Sequence, residues 1–321
     1  MQTPVRRVAR LSAPLLAISA VLGACAGPGS PPGRAPSAAA TAPSAAPDAV
    51  PAMAPASSQA RASRALRRVA HRFHAHLGVY VLDTGTGRTV TYRADERFAY
   101  CSTFKVLAAG ILLQRDTEAQ LSHVITYRGA DLVYHSPVTA RHAGTGMTLR
   151  ALIAAAVQYS DNTAANLLLR QLGGPRGLQA ALRGLGDATT DADRSEPALS
   201  DAIPGDIRDT STSRALGTDL RLLVLGQVLS PGRRQVLASL LLGNTTGGPY
   251  IRAGVPAGWK VGDKTGNGGW GTRNDIAIAW PPGRAPVVIS VLSRRSAAHA
   301  ASDDALIADA TAAALAALGY P

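Results

Sequence analysis

The sequence predicts an α/β protein of two lobes, with one sheet assembled from both ends of the chain and an all-helical lobe inserted between them. Two observations predict it. Apolar periodicity runs in the order helix, strands, many helices, strands, helix, so one sheet draws its strands from both ends of the chain. A length of 321 residues with 46% hydrophobic content also supplies enough apolar surface for a sizeable core.

In chain order, Arg6, Arg7 and Arg10 precede an apolar run from Leu11 to Ala24, the pattern of an export signal and too short to span a bilayer. The run ends in Leu22-Gly23-Ala24-Cys25, a bacterial lipobox pattern in which Cys25 takes a lipid and becomes the mature N-terminus. Cleavage after a small residue, giving a free secreted protein, is the alternative. The Arg6-Arg7 pair raises twin-arginine export, but Ala9 and Arg10 stand where apolar residues are expected. Residues 26–60 are Ala, Pro and Ser with almost no charge and read as a tether. With Cys25 consumed, Cys101 is the thiol that remains, so no internal disulfide is expected. Cys101 itself reads as a small packing residue.

The folded domain is expected over 61–321, with an α/β lobe from about 61–95 and 245–321 and a helical lobe from about 96–244. Its periodicities place a helix near 61–77, strands at 77–83 and 89–93, and a helix from about Ser102 to Leu113. Helical patterns follow at 149–159, 163–172, 177–185, 218–229 and 231–242, interrupted by an irregular segment at 189–212. Strand patterns return at 258–264, 275–280 and 287–294, and an Ala-rich helix closes the chain over 302–318.

The formal charge of +12 invites a nucleic-acid reading. The arginines are scattered along the sequence, however, and only 4% of residues are aromatic, so no basic stripe with stacking platforms emerges. A basic surface that attracts small anions fits better. His71, His74 and His76 are the histidines close enough to suggest a metal. His71 and His74 would share a helix face and His76 would point elsewhere, so no metal site is expected.

Basic charge comes almost entirely from arginine: of 33 Lys and Arg, only Lys105, Lys260 and Lys264 are lysine. A position that keeps Lys in such a chain needs an amine that can lose its proton, or a compact ammonium. Lys105 lies three residues after Ser102, one helical turn away, where its amine could reach the hydroxyl and activate a weak nucleophile. Ser160-Asp161-Asn162 is by itself a plausible helix cap. Lys264-Thr265-Gly266 ends a predicted strand, and the glycines that follow could simply be a hairpin turn. Lys260 matches no motif.

Together, in this order and spacing, the three motifs resemble the class A β-lactamase family. The likeness covers about 61–320. It includes Asp131-Leu132-Val133-Tyr134-His135-Ser136-Pro137-Val138-Thr139 on the expected rim of the site. It also includes Ser160 to Leu169, and Arg194-Ser195-Glu196-Pro197-Ala198-Leu199 with Asp206 and Asp209 in an Ω-loop, and finally Gly271-Thr272-Arg273-Asn274-Asp275. The resemblance implies a two-lobed serine β-lactamase fold with a five-stranded antiparallel sheet, acting on β-lactam antibiotics as a monomer, with no metal, cofactor or nucleic-acid partner.

It also implies roles. Ser102 attacks the lactam carbonyl, and the N–H groups of Ser102 and Asn267 form an oxyanion hole. Lys105, or Glu196 through a water, takes the serine proton. Ser160 passes a proton to the lactam nitrogen beside Lys264, which reads as a fixed positive charge. Asn162, Asn267 and His135 contact substrate, and Thr265 and Arg273 bind its carboxylate. Arg194 and Asp209 clamp the loop that carries Glu196, the base for deacylation. Asn166 and Asp206 hold that loop in shape. Ser200 stands where the family usually has an Asn that helps hold the hydrolytic water. His135 replaces an aromatic gatekeeper and serves either as a stacking face or as a plain surface residue. Gly268 takes the place of a second cysteine found in some carbapenem-hydrolysing relatives. Two rivals stand beside this reading: a penicillin-binding DD-peptidase, and a non-catalytic envelope protein that binds β-lactam or peptidoglycan.

Overall fold

The computed structural model describes residues 52–53 and 56–321; the export signal, the Cys25 lipobox and most of the 26–60 tether lie outside them. Among the described residues the helices are α1 (Ala56–Arg72), α2 (Phe104–Arg115), α3 (Glu118–Ser122), α4 (Leu149–Gln158) and α5 (Asn162–Leu172). They continue with α6 (Pro175–Gly184), α7 (Ser213–Val224), α8 (Pro231–Leu242), α9 (Ile251–Gly254) and α10 (Ala305–Leu318). The strands are β1 (Ala52–Met53), β2 (Ala75–Asp83), β3 (Arg88–Tyr92), β4 (Arg97–Ala99) and β5 (Val124–Ile125). After them come β6 (Met147–Thr148), β7 (Thr210–Thr212), β8 (Lys260–Asn267), β9 (Arg273–Trp280) and β10 (Val287–Arg295).

The main sheet runs β1-β3-β2-β10-β9-β8. Its five long strands pair antiparallel, and the two-residue β1 adds a parallel edge on β3. Both faces are covered, which explains why the strands read as near-continuous apolar runs. Successive residues divide between the two sides. Val79, Val81, Ala277, Ile289 and Val291 pack with α1 and α10, while Tyr80, Leu82, Ile276, Ile278 and Leu292 join the core of the helical lobe. Lys264 pairs with Ile276, so its side chain stands on the helical-lobe face.

Several boundaries differ from the sequence expectation, among them the end of the first helix, which stops at Arg72 instead of 77 so that β2 opens at Ala75. α1 begins at Ala56, inside the expected tether, because Gln59 binds Thr91 in both directions: its amide donates to the carbonyl at 2.6 Å, and its side-chain oxygen accepts from the N–H at 3.3 Å. α7 begins at Ser213 instead of 218, capped by the Thr212 hydroxyl, which accepts from Ala215 N–H. It lies on the sheet, with Gly217 against the Tyr80 ring. The segment expected to be irregular ends in β7, which pairs with β4 and ties the loop exit to the strand leading to Ser102.

α2 is buried on every side from Phe104 through Leu113, so it forms the centre of the helical lobe. That position dictates the burial of Lys105.

Candidate active site

Ser102 does not begin a regular α-helix. It sits in a single 3-10 turn, Cys101–Thr103, that leads into α2 at Phe104. β8 passes directly against this turn. A side chain at Gly266 would meet the Tyr100 carbonyl oxygen at 2.8 Å, so the glycine is required for close approach and not for a hairpin. β8 in fact continues to Asn267, which pairs with Arg273, and Lys264 lies within the strand.

Four non-glycine residues next to the site hold left-handed backbone: Cys101 (φ 48), His135 (φ 62), Ser160 (φ 55) and Asp209 (φ 56). Such conformations cost roughly 1–3 kcal/mol each and persist where surrounding contacts over-determine them. For Ser160 those contacts come from Asp161. Its carboxylate accepts from Val138 N–H, Thr139 N–H, the Thr139 hydroxyl and Ala164 N–H, so the start of α5 is pinned to the rim segment.

Ser102 and Lys105 do not pair directly. The Ser102 hydroxyl donates to Glu196 Oε1 at 3.2 Å, and Lys105 Nζ lies 3.2 Å from the same oxygen. Lys105 Nζ also donates to the Ser160 carbonyl (2.8 Å) and Asn162 Oδ1 (2.5 Å), and lies 3.4 Å from Ser160 Oγ. Lys264 Nζ donates to Ser160 Oγ at 3.0 Å and to the Thr265 carbonyl at 2.9 Å. The Ser160 hydroxyl therefore stands between two buried amines.

Burial lowers the proton affinity of both lysines. For Lys105, the Glu196 carboxylate opposes that fall. Lys264 is pushed down to about 7, first by burial and then by the charge of Lys105. Burial and the neighbouring Lys105 charge thus work against the fixed positive charge expected of Lys264 from sequence.

Glu196 is held from both ends. Asn166 exchanges two 2.9 Å hydrogen bonds with its backbone, and the Ser200 hydroxyl donates to Oε2 at 3.0 Å. The Arg194–Asp209 clamp closes with Nε 2.5 Å from Oδ2, and Asp209 also accepts from Asp193 N–H and Arg194 N–H. Asp206 pairs with Arg208. Tyr100, overlooked in the sequence, donates its hydroxyl to Asp209 at 3.2 Å and couples the loop clamp to the turn carrying Ser102.

These groups surround a cavity of about 370 Å³ lined by Ser102, Tyr134, His135, Ser160, Asn162, Glu196, Pro197, Ser200, Thr246, Thr265, Asn267 and Gly268. Asn162 turns its amide nitrogen to the Tyr134 carbonyl (2.9 Å), and Asn267 Oδ1 accepts from the Tyr250 hydroxyl (2.9 Å). His135 is exposed on the rim, its Nε2 3.2 Å from the Tyr159 carbonyl. Arg273 departs from expectation: it does not line the cavity, because its guanidinium is bound to Asp304 at 2.7 Å and to the Thr272 carbonyl. Thr246 was missed in the sequence and takes part of that wall, its hydroxyl 2.6 Å from that of Thr265. The only sequence sign of it was the polar turn run Asn244-Thr245-Thr246-Gly247-Gly248.

The described chain also matches known proteins. A family model described as the β-lactamase enzyme family covers residues 61–318. The chain belongs to the β-lactamase enzyme family. A β-lactamase of Amycolatopsis lactamdurans is 55% identical over 252 residues, 78% of this chain and 83% of that protein. One from Bacillus amyloliquefaciens is 54% identical over 244 residues, 76% of this chain and 80% of that protein. The crystal structure of a class A β-lactamase from Clostridium kluyveri superimposes with a TM-score of 0.79 at 45% identity, covering 80% of this chain and 98% of that one. The class A assignment made from the motifs thus stands, and with it the two-lobed fold. Among the described residues of this β-lactamase, no group of three or more His, Cys, Asp and Glu is arranged to hold a metal.

Proposed function

We propose that this β-lactamase hydrolyses β-lactam antibiotics through an acyl-enzyme on Ser102, which Glu196 then helps water to cleave. The observation that carries the reading is the convergence of Ser102 Oγ, Lys105 Nζ and Ser200 Oγ on the one carboxylate of Glu196, at the wall of the cavity. A serine hydroxyl bonded to a carboxylate that also holds an amine has a route for its proton whichever group accepts it. After acylation the same carboxylate faces the ester, with the Ser200 hydroxyl beside it to orient a water.

Ser160, between two amines of lowered proton affinity, delivers a proton to the departing lactam nitrogen. The N–H groups of Ser102 and Asn267 stabilise the oxyanion, a donor of this kind contributing roughly a hundredfold to a thousandfold in rate. Thr265 and Thr246 receive the substrate carboxylate at the cavity wall, with the buried Lys264 amine acting on it through space; Arg273 contributes from behind only if it leaves Asp304. Asn162 and His135 meet the substrate side chain. Export and attachment through a lipid on Cys25, to the outer face of the cell membrane or in a periplasm, and a monomeric state complete the proposal. Mass measurement of the N-terminal peptide tests the lipid.

The enzyme mixed with a chromogenic cephalosporin should show sustained turnover. A single stoichiometric burst would instead mark a DD-peptidase, and no acylation a binding protein. Glu196→Ala should keep the acylation burst and lose turnover by about 10²–10⁴-fold. Normal turnover in that variant would remove Glu196 as the water-activating base.

A further inference from the structure

Helix α1 gathers arginines that look scattered in the sequence. It contains Arg61, Arg64, Arg67, Arg68 and Arg72, with His71, and no acidic residue. At about 100° per residue these side chains occupy an arc of roughly 140° opposite Ala62 and Leu66, which are buried against the sheet. Arg72 is paired with Asp309 of α10, and Arg61 donates to the Ser58 hydroxyl. Arg64, Arg67 and Arg68 are exposed and have no ion pair or hydrogen bond among the described residues.

The face is shaped as well as charged. Between α1 and α10 lies a groove of about 380 Å³, whose rim is Arg61, Arg64 and Arg68 and whose floor is Ala65, Ala313 and Ala316. At the C-terminal end of α1 a second depression of about 380 Å³ brings together Arg67, His71, His74, His76, Arg93 and Tyr92. His76 thus joins the other two histidines, contrary to the expectation that it points away. Its imidazole is held below the usual range, first by burial and then by Arg294 and Arg93, opposed only by Glu96. Cations collected in this way leave an anion-shaped demand on the surface.

We propose that the α1 face docks on a lipid bilayer containing anionic phospholipid, with the arginines binding headgroup phosphates and the alanine floor meeting the apolar edge of the headgroup layer. The position of α1 in the chain favours a bilayer as occupant. Thirty residues separate Cys25 from Ala56, a span of at most about 110 Å fully extended, so a lipid on Cys25 would tether α1 within that reach of the membrane. The docking itself does not require that lipid. α1 packs on the sheet face opposite the helical lobe, so a docked enzyme keeps its cavity clear of the bilayer.

The test is flotation of the processed chain with vesicles of phosphatidylcholine, with and without phosphatidylglycerol. Each arginine near an anionic surface contributes on the order of fivefold in partitioning. The triple variant R64Q/R67Q/R68Q should therefore lose about a hundredfold of its phosphatidylglycerol-dependent binding, while hydrolysis of a soluble β-lactam stays unchanged and reports an intact fold. R64K/R67K/R68K should keep most of the binding. The proposal is overturned if the wild type shows no preference for phosphatidylglycerol, or if the glutamine variant binds as the wild type does. Displacement by inorganic phosphate at matched ionic strength would also overturn it, since that marks a phosphate pocket and not a bilayer surface. Lipidation of Cys25 is read separately, from the mass of the N-terminal peptide.

Discussion

Lys105 and Glu196 form an ion pair sealed from solvent, with Nζ 3.2 Å from Oε1 and neither side chain exposed. Burying two charges is costly unless each finds further partners. Here Lys105 adds the Ser160 carbonyl and Asn162, while Glu196 adds Ser102 and Ser200. The pair is thus satisfied, yet every bond it makes leads to a group at the reaction centre.

Ser200 tests how much of this depends on a single hydroxyl. Ser200→Ala removes the donor to Glu196 Oε2 and should slow deacylation about tenfold, with acylation nearly unchanged, as read from acyl-enzyme lifetime in stopped flow. Ser200→Asn should alter that lifetime too. An unchanged lifetime in both variants would show that the position has no part in holding the water.

Lys264 should set the alkaline limb of kcat/KM. Its ammonium is lost as pH rises through about 7, so affinity for an anionic substrate should fall above that pH in the free enzyme. A bound carboxylate favours the charged form and should move the limb of kcat to higher pH. Lys264→Arg keeps its charge throughout and should abolish the limb; the same limb in the variant would assign it to another group.

Gly266→Ala should impair both stability and rate. Its Cβ would stand 2.8 Å from the Tyr100 carbonyl oxygen and 3.3 Å from Cys101 Cβ, forcing β8 away from the Ser102 turn. A loss of about 1–3 kcal/mol is expected, with a larger fall in kcat than in Tm would suggest. Wild-type activity at an unchanged Tm would show that strand and turn move apart freely.

Asp219 of α7 is buried and raised to about 9, first by burial and then by the Asp187 carboxylate beside it. A raised acid contributes stability below its unfolded pKa and loses it as pH rises through the folded value. Asp219→Asn stays neutral, so its Tm advantage over the wild type should grow between about pH 4 and 9, to several degrees. An advantage independent of pH would mean that Asp219 does not titrate in this range.

Most elements and all three lysine-bearing or serine-bearing motifs were legible from the chain, because apolar period, caps and motif spacing are local properties. The helix at 231–242 matches α8, and the strand pattern at 287–294 matches β10 to within one residue. Among the boundaries that slipped, Ala56 and Ser213 are fixed by a side chain reaching a distant strand or by a cap beside a loop, while the first helix stops at Arg72 instead of 77 because the chain turns there into β2. Tyr100 and Thr246 gave almost no sequence sign, since each matters through a residue far along the chain, Asp209 and Thr265 respectively.

What the sequence by itself determined is the set of reacting groups, their order and the sheet that must close between the chain ends. Tertiary structure alone decided which of them touch. It put Ser102 and Lys105 on the same carboxylate oxygen, turned Arg273 to Asp304 and drew the proton affinity of Lys264 towards neutrality. The reason is physical: contact and protonation depend on burial and on charges brought close by packing, and neither quantity is carried by a residue's neighbours in the chain.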